Sequence, residues 1–153
     1  MTKIKFNKKY DYHENIEHLD EYEGNMDPEV VDLCNAMNAL PGIVTTESCC
    51  GHGCSNFSIF FRVVDDKRGL FFLTRCVDRR YWKYGYLWKI ELSVGDSMYK
   101  DGHRPITYCL HSGPIVGEDA YEQAKDLLEN MNDHLNIPAF LEIFDLKLTD
   151  FDL

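Results

Sequence analysis

Apolar residues recur along this chain with two different periods, and the switches between them mark out its elements. Over residues 28–40, Val30, Leu33, Cys34, Met37 and Leu40 fall three or four apart, the spacing of one buried helical stripe. Asp27 and Pro28 suit its start, since a carboxylate can cap orphan amides and proline lacks an N–H where none is needed. Pro41-Gly42 ends it. Residues 43–48 and 57–64 are rich in β-branched and aromatic side chains, which predicts two strands. Leu70, Leu73, Val77 and Tyr81 predict a second helix over 67–81, with Asp65 or Asp66 as its cap. In 86–94 the period drops to two: Tyr86, Trp88, Ile90, Leu92 and Val94 oppose Lys89, Glu91 and Ser93. The stretch 106–112 repeats this, setting Ile106, Tyr108 and Leu110 against Thr107, Cys109 and His111. Residues 118–135 carry the strongest helical stripe, from Ala120 and Ala124 to Met131 and Leu135. The spacing in 11–25 allows an amphipathic helix, and 138–153 is apolar without a resolved period.

The order helix, strand, strand, helix, strand, strand, helix predicts an α+β fold. About four strands would form a mixed or antiparallel sheet, with helices packed mainly on one face. A chain of 153 residues fits one such domain and leaves no room for a second core, with residues 1–25 at its periphery. If the aliphatic face is the inner one, Lys89, Glu91, Cys109 and His111 lie together on the open face.

Charge narrows the partners. The formal net charge is −10, and residues 11–61 contain acids but no lysine or arginine. Residues 62–89 reverse the sign, with a local net of +5 from eight bases and three acids. Nucleic-acid binding needs a broad basic footprint, which this chain lacks, so a nucleic-acid partner is not expected. A few phosphates, as in a nucleotide, are within reach of the basic segment. No apolar run approaches the roughly 18–20 residues of a membrane span, and no secretory signal opens the sequence. The cytosol is the expected compartment, where six cysteines point to thiols or ligands rather than disulfides. Cys34 and Cys76 sit on helical stripes and read as core.

The segment joining the first two strands concentrates the chemistry. Cys49, Cys50, His52 and Cys54 put three sulfurs and an imidazole within six residues, flanked by Gly51 and Gly53. Turns favour Asn, Asp, Gly and Pro, so turning alone does not account for three cysteines. One reading is a metal site: thiolate and imidazole are the ligands zinc prefers, and Cys49, Cys54, Cys109 and His111 would supply four. A second is a reactive cysteine, Cys50, with His52 or His111 carrying the proton. A third is a cradle in which glycine-rich backbone and the Ser48 hydroxyl surround an anion.

Residues 40–51, Leu-Pro-Gly-Ile-Val-Thr-Thr-Glu-Ser-Cys-Cys-Gly, resemble the wybutosine-synthesis tRNA methyltransferase family. That family likewise has a helix, a short strand with Thr-Thr and a Ser-Cys-Ser-Gly-Arg loop. Ser48, Cys49 and Gly51 match the motif, while Cys50 and His52 stand at its second Ser and its Arg. The Glu118-Asp119-Ala120 helix start is also similar. The resemblance covers about a third of the chain and implies use of S-adenosylmethionine in a transferase-like reaction on a modified guanosine. Short bacterial and phage proteins with a Ser-Cys-Cys-Gly-His loop also look similar.

Together these readings predict a small-ligand pocket between the 49–55 loop and the strand ending at His111. Ser48, Cys49, Gly51 and Gly53 would line it, and Arg62, Lys89 and Arg104 would supply positive charge for a nucleotide or other phosphate ligand. The alternative is a zinc-stabilised interaction module.

Overall fold

A computed structural model describes residues 1–7, 26–78, 88–94 and 106–153. Four antiparallel strands make one sheet: β1 (Ile43–Cys49), β2 (Asn56–Val63), β3 (Lys89–Val94) and β4 (Ile106–Val116), in the order β1-β2-β4-β3. Helices α1 (Val31–Asn38), α2 (Arg68–Cys76), α3 (Gly117–Leu135) and α4 (Pro138–Ile143) complete the α+β architecture. The predicted helix over 11–25 and residues 79–81 of the second predicted helix lie outside the described residues.

The period-2 pattern explains which face is buried. Phe57, Ile59 and Phe61 alternate along β2 and are fully buried, packed with Leu110 of β4 and Trp88. The helices supply the opposing layer with Leu33 and Met37 from α1, Phe72 and Leu73 from α2, and Leu127 and Met131 from α3. Cys34 and Cys76 belong to this core, and burial pushes the Cys34 thiol up to about 12. Gln123 enters the same layer because the Trp88 indole donates to its Oε1 at 3.0 Å. Leu92, expected on the inner face, is 69% exposed at the edge strand β3. The unassigned C-terminal stretch forms α4 and a short turn whose Phe151 packs edge-on to Phe72.

One irregularity decides where the cysteine loop points. Thr45 pairs with Phe61 and Glu47 with Phe60, so Thr46 is an extra residue, a β-bulge. Asn38, the last residue of α1, braces that kink: its Oδ1 accepts from Thr45 N (2.9 Å) and its Nδ2 donates to Thr45 Oγ1 (2.8 Å). Beyond the bulge the alternation is reversed. Ser48 pairs with core-facing Ile59, and Cys49 pairs with Ser58 on the open face. Cys50, the next residue, turns inward and is 3% exposed.

Candidate functional site

Beyond β1 the chain makes a tight 3-10 turn, Gly51–Gly53, in which three consecutive residues have positive φ: 80°, 48° and 81°. Glycine accepts this conformation at no steric cost. A β-carbon at Gly51 would also stand 2.8 Å from the Asn56 carbonyl oxygen, so the position has no room for one. His52 has no such freedom, and a left-handed non-glycine residue costs on the order of 1–2 kcal/mol. The strain folds the imidazole back over Cys50, with Nδ1 3.7 Å from the sulfur.

Asp27 completes the group. Its carboxylate does not cap the helix that follows; its Oδ2 accepts from the Cys50 backbone N–H at 2.9 Å and lies 3.8 Å from His52 Nε2. One ligand atom from each of Asp27, Cys50 and His52 lies within 4.8 Å of the other two. Around a tetrahedral zinc, bonds of about 2.0–2.3 Å set neighbouring ligand atoms about 3.3–3.7 Å apart, so the group is within about an ångström of that spacing. Tyr121, on the first turns of α3, closes the far side by donating its hydroxyl to Cys50 Sγ at 3.6 Å.

The electrostatics of Cys50 are opposed. Burial raises its pKa, and the Asp27 carboxylate adds to the rise, while the His52 N–H and the Tyr121 hydroxyl, both donating to sulfur, lower it. Burial wins, and the group rests as a thiol. The same hydrogen bond raises Tyr121 to about 12, with Glu29 and Glu118 contributing. A thiol held this way is a poor spontaneous nucleophile, since the thiolate is the reactive form. A divalent cation would supply the missing stabilisation, because thiolate ligands are deprotonated when metal binds.

The other expected residues disperse. His111 pairs with Ser58 and Lys89 on the open face, where its Nε2 is 3.2 Å from Glu91 Oε2 and its Nδ1 accepts from Gly113 N at 3.1 Å. Cys50 looks into the helical layer, so the structure does not bring these two together. Cys49, Ser58, His111 and Lys89 make one row across four strands, in which Cys49 and His111 are two strands, roughly 10 Å, apart. That is too far for one ion, so the Cys49, Cys54, Cys109, His111 set is not assembled. Cys54 is exposed and donates to Gly51 O at 3.5 Å. Burial pushes the Cys109 thiol up to about 11, with Glu91 on the neighbouring strand and then Glu47 adding to the rise. Ser48 turns toward Cys34 inside the sheet, and Gly53 lies under the start of α3 beside Gly117. Arg62 sits near the opposite end of β2 from the loop, about 20 Å along the strand. Arg104 lies outside the described residues.

Asp27 and Tyr121 were the residues the sequence hid. Asp27 has the cap position before a proline, and Tyr121 flanks the stripe of α3 without belonging to it. Glycine at position 52 tests the role of the strain. His52→Gly is expected to stabilise the metal-free protein by about 0.5–1 kcal/mol while weakening metal binding, a sign split readable by urea denaturation with and without zinc. No family model, curated protein or solved structure matches this chain.

Proposed function

We propose that this chain binds one zinc-class divalent cation through Asp27, Cys50 and His52. The observation that carries the reading is the convergence of carboxylate, thiol and imidazole atoms within 4.8 Å on a strained turn. Three protein ligands leave a fourth position of a tetrahedron open. That is the pattern of zinc sites that engage a substrate, whereas structural sites are closed by four. Bound there, a metal would supply Lewis acidity to a small ligand. The chain's own groups orient it: the Cys50 amide fixes the Asp27 carboxylate, and the Tyr121 hydroxyl points at the sulfur and can hold a proton beside it.

A nucleotide or phosphate ligand at this centre finds less support. The charged side chains that act on Cys50 and Tyr121 are the carboxylates Asp27, Glu29 and Glu118. The S-adenosylmethionine use implied by the Ser48, Cys49 and Gly51 resemblance is tested by thermal shift, where stabilisation of the wild type would support it.

Protein purified without chelator or metal-affinity steps is expected to retain about one zinc per chain by elemental analysis, and Asp27→Ala to lose it. Equal, low zinc in both proteins would refute the reading. The sign of the pH dependence follows from the Cys50 thiol. Its pKa is raised, so near neutrality binding must displace a proton, and alkaline conditions favour the complex. Between about pH 7 and 8.5 zinc affinity is expected to rise about tenfold per pH unit. A flat profile in a competition titration would remove Cys50 from the ligand set.

A further inference from the structure

We propose that the C-terminal half of α3 is a docking groove for an extended peptide in which lysines alternate with apolar residues. The chain's own Lys3, Ile4, Lys5 and Phe6 are its resident occupant, and a partner segment of the same chemistry displaces them. This surface does not depend on the metal reading of Asp27, Cys50 and His52.

The contacts address the main chain of the segment. Asn136, which ends α3, takes both backbone groups of Ile4: its Oδ1 accepts from the Ile4 N–H at 2.8 Å, and its Nδ2 donates to the Ile4 carbonyl at 2.8 Å. One turn earlier, Asn132 Oδ1 accepts from the Phe6 N–H at 2.9 Å. The two spacings match, so the segment lies antiparallel to the helix. Residues i and i+4 of a helix are about 6 Å apart along its axis, and residues i and i+2 of an extended chain about 6.5 Å. The Asn136 amide is oriented from within α3, because its Nδ2 also donates to the Asn132 carbonyl at 2.6 Å. Asparagine is a poor helix former, and the backbone of a docked segment gives it a use here.

Main-chain bonds of this kind give affinity, and alternate side chains give specificity. Ile4 and Phe6 pack on the core, with the Phe6 ring 6.3 Å from that of Phe151. Lys3 and Lys5 stay exposed, and Lys3 Nζ donates to Asp133 Oδ1 at 2.8 Å, where Glu129 acts on the same ammonium. The resident is replaceable. Ile4 and Phe6 are only partly buried, and the exposed ion pair contributes little. A space of about 430 Å³ bounded by Ile4, Leu128 and Glu129 remains where the segment meets α3. Local release of the segment therefore precedes global unfolding.

The test titrates the whole isotope-labelled chain with an unlabelled peptide, Met-Thr-Lys-Ile-Lys-Phe-Asn. The Ile4 and Phe6 amide resonances are expected to move saturably to undocked positions, while the Asn136 side-chain amide keeps its docked shift. Peptides with serine in place of isoleucine and phenylalanine, or glutamate in place of both lysines, should have no such effect. Ile4→Ser with Phe6→Ser weakens the resident alone, so this double variant should bind the peptide about tenfold more tightly than the wild type. Adding Asn136→Ala should then cost about tenfold or more, since two hydrogen bonds go. Peptide affinity that is unchanged by either step would overturn the proposal. Amide hydrogen exchange of the wild type gives a check that needs no variant. Ile4 and Phe6 are expected to exchange together and well before Leu127 and Met131 of α3. Exchange of all four only on global unfolding would show the segment to be a fixed part of the core, and displacement would be refuted.

Discussion

Cys50→Ala is expected to lower zinc affinity on the order of a thousandfold, beyond the ten- to hundredfold typical of losing an outer-shell partner. The sulfur is the soft ligand of the three and the one nearest the imidazole, at 3.7 Å from Nδ1. Its removal leaves a carboxylate and a histidine, a pair without the thiolate that favours zinc over magnesium or calcium. The fold should survive. A small thiol is lost from a buried position, and the Cys50 backbone N–H still donates to Asp27, so the stability cost is about 1–2 kcal/mol. Cys49→Ala is the matched control. Its sulfur accepts from the Gly51 N–H on the open face, away from Asp27, and its loss should change zinc affinity less than about threefold. Competition titration with a chelating dye reads both variants. Equal losses would mean that the two adjacent cysteines do not face opposite sides of the sheet.

That separation is also where the sequence stopped being legible. The first two strands are legible from their β-branched and aromatic content and the last two from period-2 alternation, which also groups Lys89, Glu91, Cys109 and His111 on one face; the structure has that grouping, with Cys109 buried within it. Regular alternation from inward-facing Ile43 would carry Cys49 inward and Cys50 outward, toward His111. The extra residue at Thr46 exchanges them. Bulges depend on what braces them, and here the brace is a side chain from another element, Asn38 of α1, which no local pattern announces. A pocket joining the loop to His111 was the natural expectation for an unbroken strand. Asp27 was hidden for a related reason. Its local context, just before Pro28 and an apolar stripe, is that of a helix cap, and only the return of the chain at Cys50, 23 residues later, gives the carboxylate its actual donor. Within the loop, by contrast, the Gly-flanked Cys50 and His52 were readable, because the glycines supply the positive φ that lets neighbouring side chains face each other.

The bulge links stability and site, so a variant that damages the fold without touching the loop is informative. Gly42→Ala is expected to destabilise the protein by about 3–5 kcal/mol, in the range of the most damaging single substitutions. Gly42 has φ of 76°, where an alanine is already strained, and its β-carbon would fall 1.9 Å from the Asp66 carbonyl oxygen. That oxygen has little freedom to retreat. The Asp66 side chain accepts from the Arg68 amide (2.9 Å) and guanidinium (2.8 Å), and Arg68 in turn donates to the Asp145 carbonyl and to Asp150, tying the turn to the C-terminal segment. Relief would have to come from separating the α1–β1 turn from the start of α2. Gly42 lies at the other end of β1 from Cys50, roughly 23 Å along the strand. The folded fraction of Gly42→Ala should therefore bind zinc with wild-type affinity, and saturating zinc should recover stability by linkage, about 2.7 kcal/mol at a hundredfold excess over the dissociation constant. Urea denaturation at two zinc concentrations measures both effects. A variant whose midpoint falls but no longer responds to zinc would show that the turn and the centre form a single cooperative unit, and that the independence argued from their distance along β1 does not hold.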